Sequence, residues 1–427
     1  MFTKKTIRDI DLEGKRVLMR ADYNVPIEDG QVASDYRITE SLPTIQALLE
    51  KNVRLVIMSH LGRPEGKRDL AFTLRPVAER LQELLGREVK FAEDCIGPEA
   101  EALVHALQPG EVLLLENVRF HPEEEANDEG FARQLASYGE VFVQDAFGVV
   151  HHGAVSVSEI PKYLPSAAGL LLEKEVDTIT NVMQNPNRPL AAIIGGAKIS
   201  DKIEILNKLI EIADFIAIGG AMANTFLAAK GVKIGKSKYD PDELGMAREV
   251  MAKAEERAKT SRFTFYLPQD GVVTKKLDKA EPTRLVDWDA TLISEAQNYP
   301  KKVAEAEHTV ADDEMIADIG PLSAAFIAGG VQLAHTVLWN GTLGVTETPA
   351  LHGPVGPYAR STELLIDALT GQFGTRPFVV VGGGDTTGYL EQRKMMKSFN
   401  HVSTGGGASL ELMAGRALPG VEALVDK

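Results

Sequence analysis

In the first third of the chain, Asp22, Asn24, Arg37, His60, Arg63 and Arg119 fall in or near short polar clusters that follow apolar runs. Their side chains suit a small anion bearing both phosphate and carboxylate, because a guanidinium presents a fork of donors that fits either group. Solvated surface accounts for any one of these arginines. It accounts less well for three basic residues at the ends of successive runs. Further on, the clusters turn to glycine: Gly195-Gly196-Ala197-Lys198, Gly219-Gly220, Trp339-Asn340-Gly341, Gly382-Gly383-Gly384-Asp385-Thr386-Thr387 and Ser403-Thr404-Gly405-Gly406-Gly407. Glycine after a strand lets the backbone approach a phosphate, and the helix that follows offers free N–H groups. Lys198 and Lys202 are spaced i,i+4, which predicts a shared helix face near its start. A lysine there opposes the helix dipole unless an anion compensates it. Tight strand–helix packing explains some of the glycines, and the lysine pair less easily. Asp385 reads either as a helix N-cap or as a single carboxylate for Mg²⁺ that also contacts nucleotide phosphates.

Other chemistries fit these residues poorly. A Walker loop needs Gly-Lys-Ser/Thr, which none of the glycine clusters has. Gly382 to Thr387 misses GxGxxG because Thr387 stands at the last glycine, which disfavours a dinucleotide dehydrogenase. The single cysteine, Cys95, has no nucleophile signature around it and cannot form an internal disulfide, which fits a reducing compartment. His151-His152 lacks further ligands at metal-site spacing. The net charge of −15 repels nucleic acid and anionic membrane surfaces, so an anionic substrate must find a local basic site. The N-terminus has no apolar signal region, and no run approaches the roughly 20 apolar residues of a membrane span. A cytoplasmic protein is expected.

These clusters need a scaffold that ends many strands at one edge. Apolar runs at residues 16–21, 53–58, 112–115 and 141–143 each lead into a polar cluster. Between them, residues 41–49 and 74–85 carry apolar side chains at helical spacing. Later runs at 190–194, 215–218, 336–338, 378–381 and 401–402 lead into the glycine loops. Short strands alternating with helices predict parallel sheets covered on both faces, a doubly wound, Rossmann-like α/β fold. In such sheets ligands bind beyond the carboxyl ends of the strands. The change of loop chemistry marks a boundary between two lobes. Ser166, after Pro165, is the expected N-cap of a connecting helix reaching to about Thr180, and Asn185-Pro186-Asn187-Arg188-Pro189 reads as a turn.

Arg16-Val17-Leu18-Met19-Arg20-Ala21-Asp22-Tyr23-Asn24-Val25-Pro26 resembles the signature of the phosphoglycerate kinase family, with Tyr23 where Phe is usual. Residues 59–64, 115–120, 145–148, 195–202, 339–341, 382–386 and 403–410 match further motifs in the family's order. The resemblance covers nearly the whole chain. It implies a phosphoglycerate-binding lobe at 1–165, a connecting helix at 166–184, a nucleotide-binding lobe at 185–400 and a segment at 401–427 that returns to the first lobe. It implies phosphoglycerate ligands at Asp22, Tyr23, Asn24, Arg37, His60, Leu61, Gly62, Arg63, Arg119 and His152. Nucleotide contacts are implied at Gly196, Lys198, Lys202, Gly220, Asn340, Glu347, Gly383, Gly384, Asp385 and Thr386, with Mg²⁺ on Asp385. Arg37, Lys202 and Gly406 are the implied catalytic positions. Four departures stand out: His152 replaces the family's substrate-binding Arg, Ala154 replaces a His, and Thr342 and Ala221 replace a Pro and a Gly on the nucleotide side.

The reaction implied is the reversible conversion of 1,3-bisphosphoglycerate and ADP to 3-phosphoglycerate and ATP, with Mg²⁺ accompanying the nucleotide, in glycolysis and gluconeogenesis. A monomer that binds neither nucleic acid nor membrane, and whose lobes close as a hinge, is expected. The alternatives are a non-catalytic nucleotide-binding scaffold of the same descent, which the loss of Arg at 152 favours, and a dinucleotide oxidoreductase.

Overall fold

The computed structural model describes residues 2–289 and 308–427. The chain divides into two compact units, Met1–Thr180 with Thr404–Lys427, and Asn181–Ser403. Each carries a six-stranded sheet, and every strand pair in both is parallel. The architecture is α/β, as the alternating pattern predicts.

In the first unit the strands run in the order Val89–Ala92, Val112–Leu115, Arg54–Met58, Arg16–Arg20, Val141–Gln144, Ser166–Ala168. The central strands are buried on both faces, which is why their sequences are continuous apolar runs rather than alternating ones. Val17, Met19, Leu55, Ile57 and Leu114 form one face of the core. Ile38, Ile45 and Leu48 from helix Tyr36–Leu49 pack on it, with Val77 and Leu81 from helix Arg75–Leu85. Each such side chain contributes about 1.5–3 kcal/mol by leaving water. From strand Arg16–Arg20 the chain proceeds to Arg54–Met58 on one side, while Val141–Gln144 lies on the other. The carboxyl ends on either side of that switch diverge, and a crevice opens there.

The second unit has the order Thr264–Tyr266, Phe215–Ile218, Leu190–Ile194, Thr336–Asn340, Phe378–Gly382, His401–Val402. Its switch lies between Leu190–Ile194 and Thr336–Asn340. A three-stranded antiparallel sheet of Asp270–Thr274, Thr283–Asp287 and Met315–Ile319 accompanies it. The sequence pattern did not suggest that sheet, because its strands are short and their polar and apolar residues mix.

Two expected boundaries move. Residues Ser166–Ala168 are not the start of a helix but the edge strand of the first sheet, paired with Phe142–Gln144; the helix runs Leu170–Gln184. Ser166 does not cap it. Asp145 does, from the next strand end, accepting the N–H groups of Leu171 and Leu172 at 3.0 and 3.1 Å. Gly169 is required between them, because a Cβ there would lie 2.1 Å from Asp145 Oδ1. His401–Val402 completes the second sheet against Val380 and Val381, so the segment grouped with the first unit begins at Thr404 rather than 401. Its end is tied down by Lys5 N–H to Val425 O at 2.7 Å and Lys427 N–H to Thr3 O at 2.9 Å. Among the described residues, no helix is long and apolar enough to cross a membrane.

Candidate functional site

At the first sheet's switch point, Asp22 stands two residues beyond the end of strand Arg16–Arg20. It pairs with Arg37 Nη1 at 3.1 Å and is itself buried. Arg37 also donates to the Asn24 carbonyl at 3.0 Å. Asn24 Oδ1 in turn accepts the Gly62 N–H at 2.9 Å, and Arg119 Nη1 donates to Gly62 O at 3.0 Å. Gly62 has a φ of +62°, and a Cβ would enter the Phe72 ring, so only glycine lets this loop turn between Asn24 and Arg119. Thus Asp22, Asn24, Arg37, Gly62 and Arg119 converge through direct bonds. Gly148 closes the crevice from the neighbouring strand end, so near that a Cβ would lie 2.0 Å from Asp22 Oδ2.

His60 is buried, and its Nδ1 lies 3.1 Å from Arg20 Nη2. Burial lowers the Arg20 pKa only to about 10, so its guanidinium remains a donor at neutral pH. His60 Nδ1 must therefore accept, which leaves the ring neutral with its proton on Nε2. Its pKa is held well below the usual histidine range, first by burial and then by Arg20, Arg119, Arg37 and His152. His60 thus offers a fixed N–H dipole rather than a charge. Arg20 is held by Ser156 Oγ at 2.7 Å, and Ser156 Oγ by Glu124 at 2.5 Å. Neither Arg20 nor this support was singled out from sequence: Arg20 sits in an apolar run, and Glu124 is one of three consecutive glutamates.

The influence of His152 on His60 puts it within electrostatic reach of the cluster. Its ring lies 3.7 Å from that of His151. Arg63 is exposed. Tyr23 is not where a side-chain ligand should be: it is fully buried in the core with its hydroxyl 3.0 Å from Ser41 Oγ. Leu61 likewise belongs to the core, and its carbonyl accepts from Asn117 Nδ2 at 2.8 Å. Asn117 is a further residue the sequence reading missed. It also donates to Phe72 O at 2.9 Å and accepts the Arg119 N–H at 3.0 Å, fixing the turn that aims Arg119.

Gly406 has φ +47° and stands before the short helix Gly407–Met413, with nothing within 4 Å of where a Cβ would be. It is positioned through Thr404, whose N–H and hydroxyl both donate to buried Glu175, at 2.6 and 2.8 Å.

In the second unit, Lys202 spans the switch point. Its ammonium donates to Asn340 Oδ1 at 2.6 Å, to Asn340 O at 3.0 Å and to Gly195 O. Burial lowers its pKa to about 8, with Asp385 and Asp201 pulling the other way. Asn340 Nδ2 is buried and, among the described residues, finds no acceptor. Gly196, Gly220, Thr342 and Glu347 line a cavity of about 340 Å³ with Asp385, and Trp288, Leu343 and Ile316 add apolar wall. A flat apolar ring at that wall and phosphates at the glycine end would suit its chemistry.

The expected shared helix face of Lys198 and Lys202 is not found. Lys198 precedes the turn Ser200–Lys202, is exposed, and pairs with Asp240 at 3.3 Å. Lys202 is the N-cap of helix Ile203–Ile212 and leans back to the strand ends. Some glycines serve packing: a Cβ at Gly195 would lie 2.2 Å from Thr342 O, and one at Gly220 2.9 Å from Gly196 N. Gly383 has φ +89° and precedes helix Gly384–Gln392; Gly384 is exposed. Thr386 is fully buried, and its hydroxyl accepts the Gly341 N–H at 2.8 Å, so that side chain joins two loops. Asp385 is exposed in the first helical turn and lines the cavity. A lone carboxylate there fits Mg²⁺, which fills most of its shell with phosphate oxygens and water.

The sequence pattern of the family described as "Phosphoglycerate kinase" matches residues 7–416. Among curated proteins, the chain is 45% identical to the phosphoglycerate kinase of Moorella thermoacetica over the full length of both. It is also 45% identical to that of Chloroflexus aggregans, again over the full length of both. Its structure is similar to phosphoglycerate kinase from Coxiella burnetii, with a TM-score of 0.81, 33% identity and 98% of each chain covered. The enzyme from Pyrococcus horikoshii OT3 gives a TM-score of 0.80 at 29% identity, over 99% of this chain and 98% of that one.

Proposed function

The chain belongs to the phosphoglycerate kinase family, and from that premise we propose how its residues carry out the family's reaction. The reaction is phosphoryl transfer between 1,3-bisphosphoglycerate and ADP, giving 3-phosphoglycerate and ATP. The acceptor in the ATP-consuming direction is a carboxylate, already ionised at neutral pH because such groups titrate near ~4. No general base is needed. The protein's task is to bind, align and neutralise charge.

The phosphoglycerate binds at the first unit's switch point. Arg37, Arg63 and Arg119 meet its charged groups, and His60 donates through Nε2. Asp22 holds Arg37 in place, and Asn24 holds the Gly62 loop. The nucleotide occupies the second unit's cavity, its base against the apolar wall and its phosphates at Gly196, Asn340 Nδ2, and the Gly383–Gly384 helix start. Glu347 contacts the ribose. Asp385 would hold Mg²⁺, whose charge neutralises phosphate oxygens. Lys202 exchanges its carbonyl partners for the transferred phosphoryl group; Arg37 and the Gly406 N–H are the first unit's catalytic groups. Lys198 contributes only if it leaves Asp240.

The observation that carries this reading is Lys202. It is a half-buried ammonium that, among the described residues, has no carboxylate bonded to it, and it lies beside Gly196 in the wall of a nucleotide-sized cavity. The test is a steady-state assay with 3-phosphoglycerate and Mg-ATP, coupled to product removal. Turnover that depends on both substrates is expected. Nucleotide binding without any turnover dependent on 3-phosphoglycerate would favour the scaffold reading instead.

A further inference from the structure

We propose that Asp94, Cys95 and His121 form a binding site for a borderline-soft divalent cation, Zn²⁺ or its heavier congener Cd²⁺, with solvent in the fourth position. The site is independent of the phosphoryl-transfer reading. Asp94 and Cys95 follow strand Val89–Ala92, and His121 closes the turn Val118–Phe120. One ligating atom from each lies within 4.8 Å of the other two. The three are already pinned together: Asp94 Oδ1 accepts the Cys95 N–H at 2.7 Å and faces His121 Nε2 at 2.6 Å. Carboxylate, thiolate and imidazole are the donor types of zinc sites, and three protein ligands with one open position is a common arrangement.

The geometry needs small changes only. With metal–ligand bonds of about 2.0–2.3 Å, tetrahedral ligand atoms sit about 3.5 Å apart. The Asp94–His121 contact must open by about an ångström, with the metal replacing the shared proton. Asp94 and His121 are free to do this, because their side chains are 40% and 23% exposed, which also gives the ion and a water access. Cys95 is fully buried and supplies the fixed ligand.

Protons balance as follows. The Cys95 S–H bond breaks, a sulfur–metal bond forms, and one proton leaves to solvent. The His121 ring proton shifts to Nδ1 while Nε2 binds. The groups facing the sulfur are Asp94, His121, Glu116, Glu124 and Tyr138. Burial first, then Asp94, Glu124 and Glu116, raise the thiol's pKa well above its usual value. The carboxylates, but not the burial, favour a dication at the sulfur. Since a proton is released, affinity rises with pH. Mg²⁺ does not suit the site, because it demands an oxygen shell.

The test is a Cd²⁺ titration of the untagged full-length chain, followed by the ultraviolet charge-transfer absorption of a cadmium–thiolate bond. Cys95 is the chain's single cysteine, so any such absorption within the protein comes from it. A saturable one-to-one signal is expected, displaced by Zn²⁺ and unmoved by excess Mg²⁺. Asp94→Asn and His121→Gln should each weaken it roughly tenfold or more. No absorption at saturating Cd²⁺ overturns the site outright. Unchanged affinity in both variants overturns it too, by reducing it to a thiol acting alone. The wild-type titration needs no variant, so a folding defect in either does not shield the proposal.

Discussion

At the scale of single residues, charge is placed by burial and by partners rather than by residue type. Lys202 is an ammonium with a pKa near 8, lowered chiefly by burial. It is charged below that pH and loses its proton as pH rises through it. The kcat/KM for nucleotide should therefore fall as pH is raised above about 8. Lys202→Met should lower kcat by about 100-fold or more while leaving the fold intact, since a charge beside the transferred group acts mostly in the transition state. A rate within threefold of wild type would remove Lys202 from that role. His152 offers a second test. Arginine carries a permanent charge and binds with two prongs, which a histidine cannot match. His152→Arg should tighten 3-phosphoglycerate binding by roughly threefold to tenfold. Superimposable binding curves for the two proteins would place His152 outside the substrate site.

At the scale of elements, the strand ends hold the helices that follow. Asp145 ends one strand and caps helix Leu170–Gln184. Glu116 ends another and accepts the Leu74 N–H at 2.8 Å and the Thr73 hydroxyl at 2.5 Å, at the start of helix Arg75–Leu85. Burial raises the Asp145 carboxyl to about 7, against the pull of Thr44, Leu172 and Leu171. The need is for an acceptor more than for a charge. Asp145→Ala should cost about 1–2 kcal/mol and speed hydrogen exchange at Leu171 and Leu172. Asp145→Asn should retain most of the protection. Equal exchange in wild type and Asp145→Ala would show that the cap is not what holds this helix start.

At the scale of the whole molecule, the two anion sites belong to different units and should fail separately. Asp385→Ala should weaken Mg-nucleotide binding and spare 3-phosphoglycerate, because Asp385 lines the second unit's cavity. The opposite result in paired calorimetric titrations would show Asp385 to be misplaced. Direct transfer between the two bound substrates needs both of them present. Labelled ADP should not exchange into ATP unless 3-phosphoglycerate or its product is supplied. Exchange with nucleotide alone would point to a phosphorylated protein intermediate.

Much of this was legible in the sequence because it depends on local pattern. Continuous apolar runs such as Leu190–Ile194 read as doubly buried strands, and the polar residue after each run read as a ligand at a sheet edge. Asp22, Arg119, Asn340 and Asp385 were picked out as candidates in that way. What sequence could not supply were facts set by residues distant in the chain. Ser166 carried the local mark of a helix cap, yet pairing with Phe142 made it a strand, and Asp145 capped the helix from another strand end. Tyr23 stood inside a signature but packed into the core against Ser41. Lys198 and Lys202 had helical spacing, but Asp240 drew one away while Asn340 and Gly195 drew the other back. The protonation of His60 was not legible at all, because Arg20 Nη2 at its Nδ1 decides it. Local pattern determines which elements form; burial and long-range hydrogen bonds, which exist only once the strands are ordered, decide each side chain's direction and charge.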